Sequence, residues 1–290
     1  MTPLFAAVRA THFLSLMGLF GAAAFLCLLR RHALPLPPER SIRIFFPAAA
    51  GVALVTAILW FFLVVARMAG DWQAAFDPAT LRLVASATEF GQIAVWRIAG
   101  LALLLASGLS LVRDRLGMTA GLAALLLASL GPTSHAAASA AALPLARAAN
   151  DGLHLLAAGF WIGGLAVLGR LVHRHYRQPE TLAAPFRLFS RWGTAAVTVL
   201  VLSGIVNAAS ILPVRSLSPG NAYVDILAVK IALALGMIVL AVVNRLELVP
   251  ALGSAGAHTV RQLSRSVAAE ILLAALVIGI VGYLGQMAPG

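Results

Sequence analysis

The chain is poor in charge and in the residues that build soluble sites. Only 11% of its 290 residues are charged, against about 25% in an ordinary soluble domain. With 61% apolar residues and a mean hydropathy of +0.95, a soluble fold of this length could not hide its apolar surface. A bilayer removes that difficulty, because lipid is itself the apolar solvent. Cysteine is almost absent. Cys27 alone, inside an apolar run, excludes an internal disulfide framework and any CxxC or thiolate metal cluster. Acidic residues number 10 against 21 basic ones. That excess does not indicate nucleic acid, because the basic residues fall in short clusters between apolar runs and no aromatic-basic module accompanies them. A phosphate-binding loop is also missing, so nothing here couples ATP to transport.

What is present is a series of long apolar runs, at about 4–29, 44–69, 90–112, 117–135, 147–172, 191–212, 222–246 and 267–288. A span needs about 20 apolar residues, so the pattern predicts an all-α polytopic membrane protein with eight transmembrane helices. The first run is too long for a signal-peptide core and reads as a retained span. Fourteen of the 21 Lys and Arg residues collect on one side, at Arg30, Arg31, Arg40, Arg43, Arg113, Arg115, Arg170, Arg174, Arg177, Arg187, Arg191, Arg245, Arg261 and Arg265. The positive-inside rule makes that side cytoplasmic and puts both termini outside, in the periplasm of a Gram-negative cell. The remaining loops, the longest at about 70–89, 173–190 and 247–266, are too short for a soluble domain.

The chain repeats itself. His12-Phe-Leu-Ser with Gly21 nine residues on resembles His154-Leu-Leu-Ala with Gly163 nine residues on. Arg43-Ile-Phe resembles Arg187-Leu-Phe, and the segment from Phe90 to Arg97 aligns with that from Tyr223 to Lys230. Three matches in order predict two parallel four-helix pseudo-repeats, about 1–146 and 147–290. Their pseudo-twofold axis would run along the membrane normal, as in parallel-repeat transporters. His12 would then face His154 across it, and Arg97 would face Lys230.

Ionisable groups at membrane depth are costly and mark functional sites by default. His12 and His154 lie about two turns inside their helices, and His135 closes the fourth run. With Arg97, Lys230 and Asn207 they fall in the outer leaflet, and Met68 and Met287 sit at outer helix ends. Three imidazoles suit copper, iron or zinc, and thioether sulfur favours Cu(I). Asp151, three residues before His154, is placed to hold a ring nitrogen. Trp161 shares the face of His154, and Gly163-Gly164 permits close helix approach. Glu270, at the start of the last run, reads as a partner of the helix dipole. A single membrane histidine also serves to hydrogen-bond a neighbouring helix.

The run Asp151-Gly-Leu-His154-Leu-Leu-Ala-Ala-Gly-Phe-Trp161-Ile-Gly163-Gly164-Leu resembles the hallmark segment of the copper resistance protein D (CopD) family. Ser134-His135-Ala-Ala is similar to the family's histidine–alanine segment, where relatives have Gly-His. Tyr223 to Lys230, Asn244-Arg245, Pro250 and Glu270 resemble its last two helices, with Tyr223-Val224 where the family has Tyr-Gly. The resemblance implies copper handling at the inner membrane, usually uptake from the periplasm. It also implies a separate periplasmic CopC-like copper protein, because no such β-domain is fused here.

Two functions follow as expectations. In the first, a copper permease binds the ion at His12, His135 and His154, with Met68 or Met287 at the entrance. Arg97 and Lys230 argue against a cation beside them. In the second, His12 and His154 are axial ligands of haem b in a membrane oxidoreductase, and Arg97 and Lys230 pair with its propionates. A scaffold that docks a periplasmic copper protein is a third reading.

Overall fold

A computed structural model describes residues 2–108, 115–131, 144–211, 221–252 and 257–287. Among these the chain is helical, with no strand. Nine helices follow in order: α1 (Thr2–Arg31), α2 (Glu39–Ala69), α3 (Pro78–Ala87), α4 (Glu89–Gly108), α5 (Leu116–Ala128), α6 (Pro144–Arg174), α7 (Ala183–Ile211), α8 (Ala222–Val243) and α9 (Ala257–Leu284). Helix α8 continues through a π turn, Asn244–Leu248, to Ala251.

Seven of the helices are long and apolar enough to cross a membrane, while α5, with 13 residues, is a shorter apolar helix. The expected fourth span, 117–135, runs past the described part of α5. The protein is therefore a multi-pass membrane protein. Its outer helices α7 and α8 carry a surface of exposed Val, Leu and Ile side chains, which lipid covers.

Three expectations about loops are corrected. The stretch 70–89 contains a helix, α3, which starts because Asp77 caps it. The Asp77 carboxylate accepts from the amides of Ala79 and Thr80 (3.4 and 2.9 Å), and Pro78 fits the first turn. Helix α2 ends just before it at Gly70, whose φ of 71° glycine adopts freely. Helices α7 and α9 also begin eight to ten residues before their apolar runs, since a helix can leave the bilayer without ending. This moves Glu270 to the middle of α9, about 20 Å from its first residue. The helix dipole does not account for it there.

Helices α1 and α6 form the centre and pack most extensively on each other. Around them α2 and α5 lean on α1, α7 leans on α6, and α9 touches both. Glycine permits the central crossing. A Cβ on Gly21 would overlap the backbone of Gly159 and Gly163, and a Cβ on Gly163 would overlap that of Gly21 and Ala22. Small residues at such crossings let backbones approach and gain dispersion contacts, since lipid supplies no hydrophobic drive between helices.

Candidate functional site

His12 is completely buried on α1. Its Nδ1 lies 3.0 Å from the carbonyl oxygen of Ala53 and 3.1 Å from Oγ1 of Thr56, both on α2. A carbonyl only accepts, so Nδ1 carries the proton and Nε2 keeps its lone pair. Nε2 is buried and has no partner. The Thr56 hydroxyl donates back to its own helix, at Val52 (2.7 Å), which fixes its rotamer.

His154 on α6 is held in the same way. Its Nδ1 lies 2.9 Å from Oγ of Ser203 on α7. The Ser203 hydroxyl donates to the carbonyl of Val199, so it accepts from Nδ1–H. Ser203 stands to Val199 as Thr56 stands to Val52, one helical turn on. Asn150, one turn before His154, donates to the Ser203 carbonyl (3.0 Å) and to Oδ1 of Asn207. Asn207 thereby ties α7 to α6 beside the histidine.

Each histidine also has a cation from the third long helix of its half. Arg97 on α4, 3% exposed, acts electrostatically on His12. It donates from Nε to Ser129 Oγ (3.1 Å) and from its terminal nitrogen to the Ser129 carbonyl (2.8 Å). Lys230 on α8 acts on His154.

The two surroundings differ in charge. Lys230 is attracted by Asp151, which lies one turn before His154. In the first half the residue one turn before the histidine is Arg9. The Arg9 guanidinium lies 5.3 Å from the Trp60 ring centroid and that of Arg97 lies 5.7 Å from it. Trp60 in turn meets the His12 ring edge-on at 5.6 Å. Arg67 adds a third cation that repels Arg9. Aromatic faces favour cations, but they supply no negative charge.

Met68 is exposed at the end of α2 and Met287 is half-buried just after α9. Arg67 joins these two helix ends by donating to Oε1 of Gln286 (2.8 Å). Trp161 is not beside His154. It points toward Glu270, in the other half of the membrane-spanning region. His135 lies outside the described residues. Among the described residues no three or more His, Cys, Asp or Glu side chains are gathered as for a metal ion.

Residues 1–145 match the family described as copper resistance protein D-like, N-terminal domain, and residues 183–284 match copper resistance protein D. The chain is 31% identical, over 99% of its length and 97% of the relative's, to copper resistance protein D of Pseudomonas syringae pv. tomato. It belongs to the copper resistance protein D family. Another relative is the copper transport protein CutJ of Bacillus subtilis, 30% identical over 71% of this chain but only 39% of its own length. The inner membrane protein YebZ of Escherichia coli is 29% identical over 84% of both chains. No solved structure matches.

For a copper resistance protein D family member, the placement of these matches is informative. Most of α6, with His154, lies between the two matched regions. The residues that sequence reading missed are Thr56, Ser203, Asn150, Arg9 and Trp60. A faint signal was available for one of them, Arg9. Arg9 and Asp151 both stand three residues before their histidines, at the same offset of 142 that relates His12 to His154. Thr56 and Ser203 carry no such signal, since a hydroxyl on an apolar helix is common.

Proposed function

We propose that the protein moves copper across the bacterial inner membrane, taking it from the periplasmic side at imidazoles in the outer half of the bundle. One observation carries this reading. Both imidazoles are anchored through Nδ1 by a neighbouring helix, which leaves Nε2 as the available donor. Fixing the far nitrogen is how ligating histidines are normally oriented.

His154 is the stronger of the two ligands. Asp151 offsets Lys230 beside it, whereas His12 has Arg97 acting on it and Arg9 and Arg97 both against the Trp60 ring that it meets, where a cation is repelled. His135 would supply a further imidazole. Met68 and Met287, at helix ends joined through Arg67 and Gln286, suit soft entry ligands for Cu(I). Both termini would be periplasmic, and a CopC-like protein would deliver the ion. The halves 1–146 and 147–290 would be related by a pseudo-twofold passing between Gly21 and Gly163. The matched anchoring of the two histidines, and Arg97 paralleling Lys230, support that relation. The names of the relatives support copper as the cargo.

The cations favour a second reading, a haem b oxidoreductase. Haem would supply one-electron chemistry, and its propionates would suit Arg97, Lys230 and the unpartnered Nε of Arg9. Against the fit, His12 is fully buried with Ala53, Thr56 and Trp60 of α2 against its ring, so a macrocycle would have to displace Trp60.

The test is copper accumulation in proteoliposomes that contain a Cu(I) chelator. Uptake should be present in the wild type and lost in His154→Ala. A colourless protein with that behaviour supports transport. A Soret band in the purified protein that disappears in His12→Ala or His154→Ala, with no copper uptake, replaces transport by the haem reading.

A further inference from the structure

We propose that Glu270 is a proton-binding carboxyl at one end of a cavity between α6, α7, α8 and α9, open to exchange with the cytoplasmic side. The cavity has a volume of about 220 Å³. It occupies the half of the bundle away from the histidines, and the inference does not depend on copper binding there.

Glu270 is 1% exposed. Its Oε1 accepts from Nδ2 of Asn244 at 2.6 Å, and the Trp161 indole N–H is directed to the same carboxyl. Oε2 has no partner, and neither has Oδ1 of Asn244. Both unsatisfied atoms are acceptors, so what the site lacks is hydrogen. Burying an acceptor unpaired is costly, and burying an uncompensated charge more so. A proton on the carboxyl removes the charge and, with a water molecule, satisfies the acceptors.

The charged neighbours are few. Among the described residues lining the cavity, Arg245 is the sole cation and Glu270 the sole acid. Arg245 is exposed, and its guanidinium is hydrogen-bonded to Thr194. It therefore marks the mouth and does not neutralise the carboxylate inside. The other facing polar groups are neutral: Asn244 from the π turn, Trp161 from α6, and Ser190, Thr194 and Thr198 from α7.

Those three α7 residues are spaced four apart and form one stripe. The hydroxyls of Thr194 and Thr198 donate to their own helix, at Ser190 (2.8 Å) and Thr194 (3.0 Å). The Thr194 oxygen also accepts from Arg245, and that of Thr198, one turn further in, keeps its lone pairs available for water between Arg245 and the interior. Asn244 reaches Glu270 because it opens the π turn. Such turns insert a residue into an α-helix and are frequent at functional sites. A hard metal cation in place of the proton would need about six oxygen ligands, and two unpartnered oxygens do not provide them.

The experiment uses the full chain in lipid nanodiscs and dicyclohexylcarbodiimide, an apolar reagent that modifies protonated carboxyls. The adduct at Glu270 is quantified by peptide mass spectrometry between pH 5 and 9. Modification should fall at least tenfold as pH rises and be absent in Glu270→Gln. Asn244→Leu, which removes a donor that favours the carboxylate, should shift the midpoint to higher pH. No adduct at any pH, or a yield constant from pH 5 to 9, overturns the proposal. Protection by sodium at fixed pH also overturns it, in favour of a metal-cation site.

Discussion

Replacing Gly163 by alanine tests the central crossing on which the histidine anchors depend. The new Cβ would stand 2.6 Å from the Cα of Gly21. Ordinary contact begins near 3.4 Å, so α1 and α6 must part by about 1 Å. Backbone atoms cannot swing aside as a side-chain tip can. Overpacking of this kind costs about 1–3 kcal/mol. The consequence should reach the site, because α1 carries His12 and α6 carries His154. Unfolding in mixed micelles, titrated with SDS and followed by tryptophan fluorescence, measures the cost. We expect Gly163→Ala to lose about 1–3 kcal/mol, and Gly21→Ala to lose a similar amount. Gly121→Ala is the control, since a Cβ there meets nothing within 4 Å. If Gly163→Ala unfolds with the wild-type midpoint, the close backbone approach is wrong, and with it the reasoning that joins the two histidine helices.

Further predictions concern single contacts. Ser203→Ala removes the acceptor of His154 Nδ1 and should weaken copper binding by about 10–100-fold, measured by chelator competition; unchanged affinity would separate His154 from the ligand set. Arg97→Gln removes a buried charged donor from the part-buried Ser129 carbonyl and should cost about 1.5–3 kcal/mol in the same unfolding assay. The Thr80 hydroxyl and amide hold the Asp77 carboxyl below its usual value. The cap on α3 is therefore complete above the ordinary aspartate value and lost as pH falls below it through the depressed value of Asp77. The protection factor of the Thr80 amide, its exchange rate relative to the intrinsic rate at the same pH, should fall on acidification in the wild type, whereas Asp77→Asn should show no such step.

The resemblance to the copper resistance protein D family was legible in the sequence because it rests on local signals: a histidine, a tryptophan and two glycines in a fixed order on one helix. The multi-pass character was legible for a plainer reason. Hydropathy is additive along the chain, and a bilayer sets the length of each run. Helix starts were not, because α7 and α9 project past the lipid on residues that are not apolar, and α3 depends on one aspartate cap. The candidate site was half legible. His12 and His154 stand out as costly groups at depth, and Asp151 as the neighbour of His154.

What the tertiary structure alone decided is what each group faces. Thr56 and Ser203 became the anchors of the two imidazoles because a hydroxyl can meet Nδ1 only where two helices cross at one height. Trp161 shares a helical face with His154 by spacing, yet α9 draws it toward Glu270. Charge balance also needed three dimensions, since Asp151 offsets Lys230 across helices while Arg9 joins Arg97 at Trp60. Sequence by itself determined which residues are expensive to bury in a membrane. Only packing determined which neighbours compensate them, because electrostatic and hydrogen-bond energies depend on distances between helices that are remote along the chain.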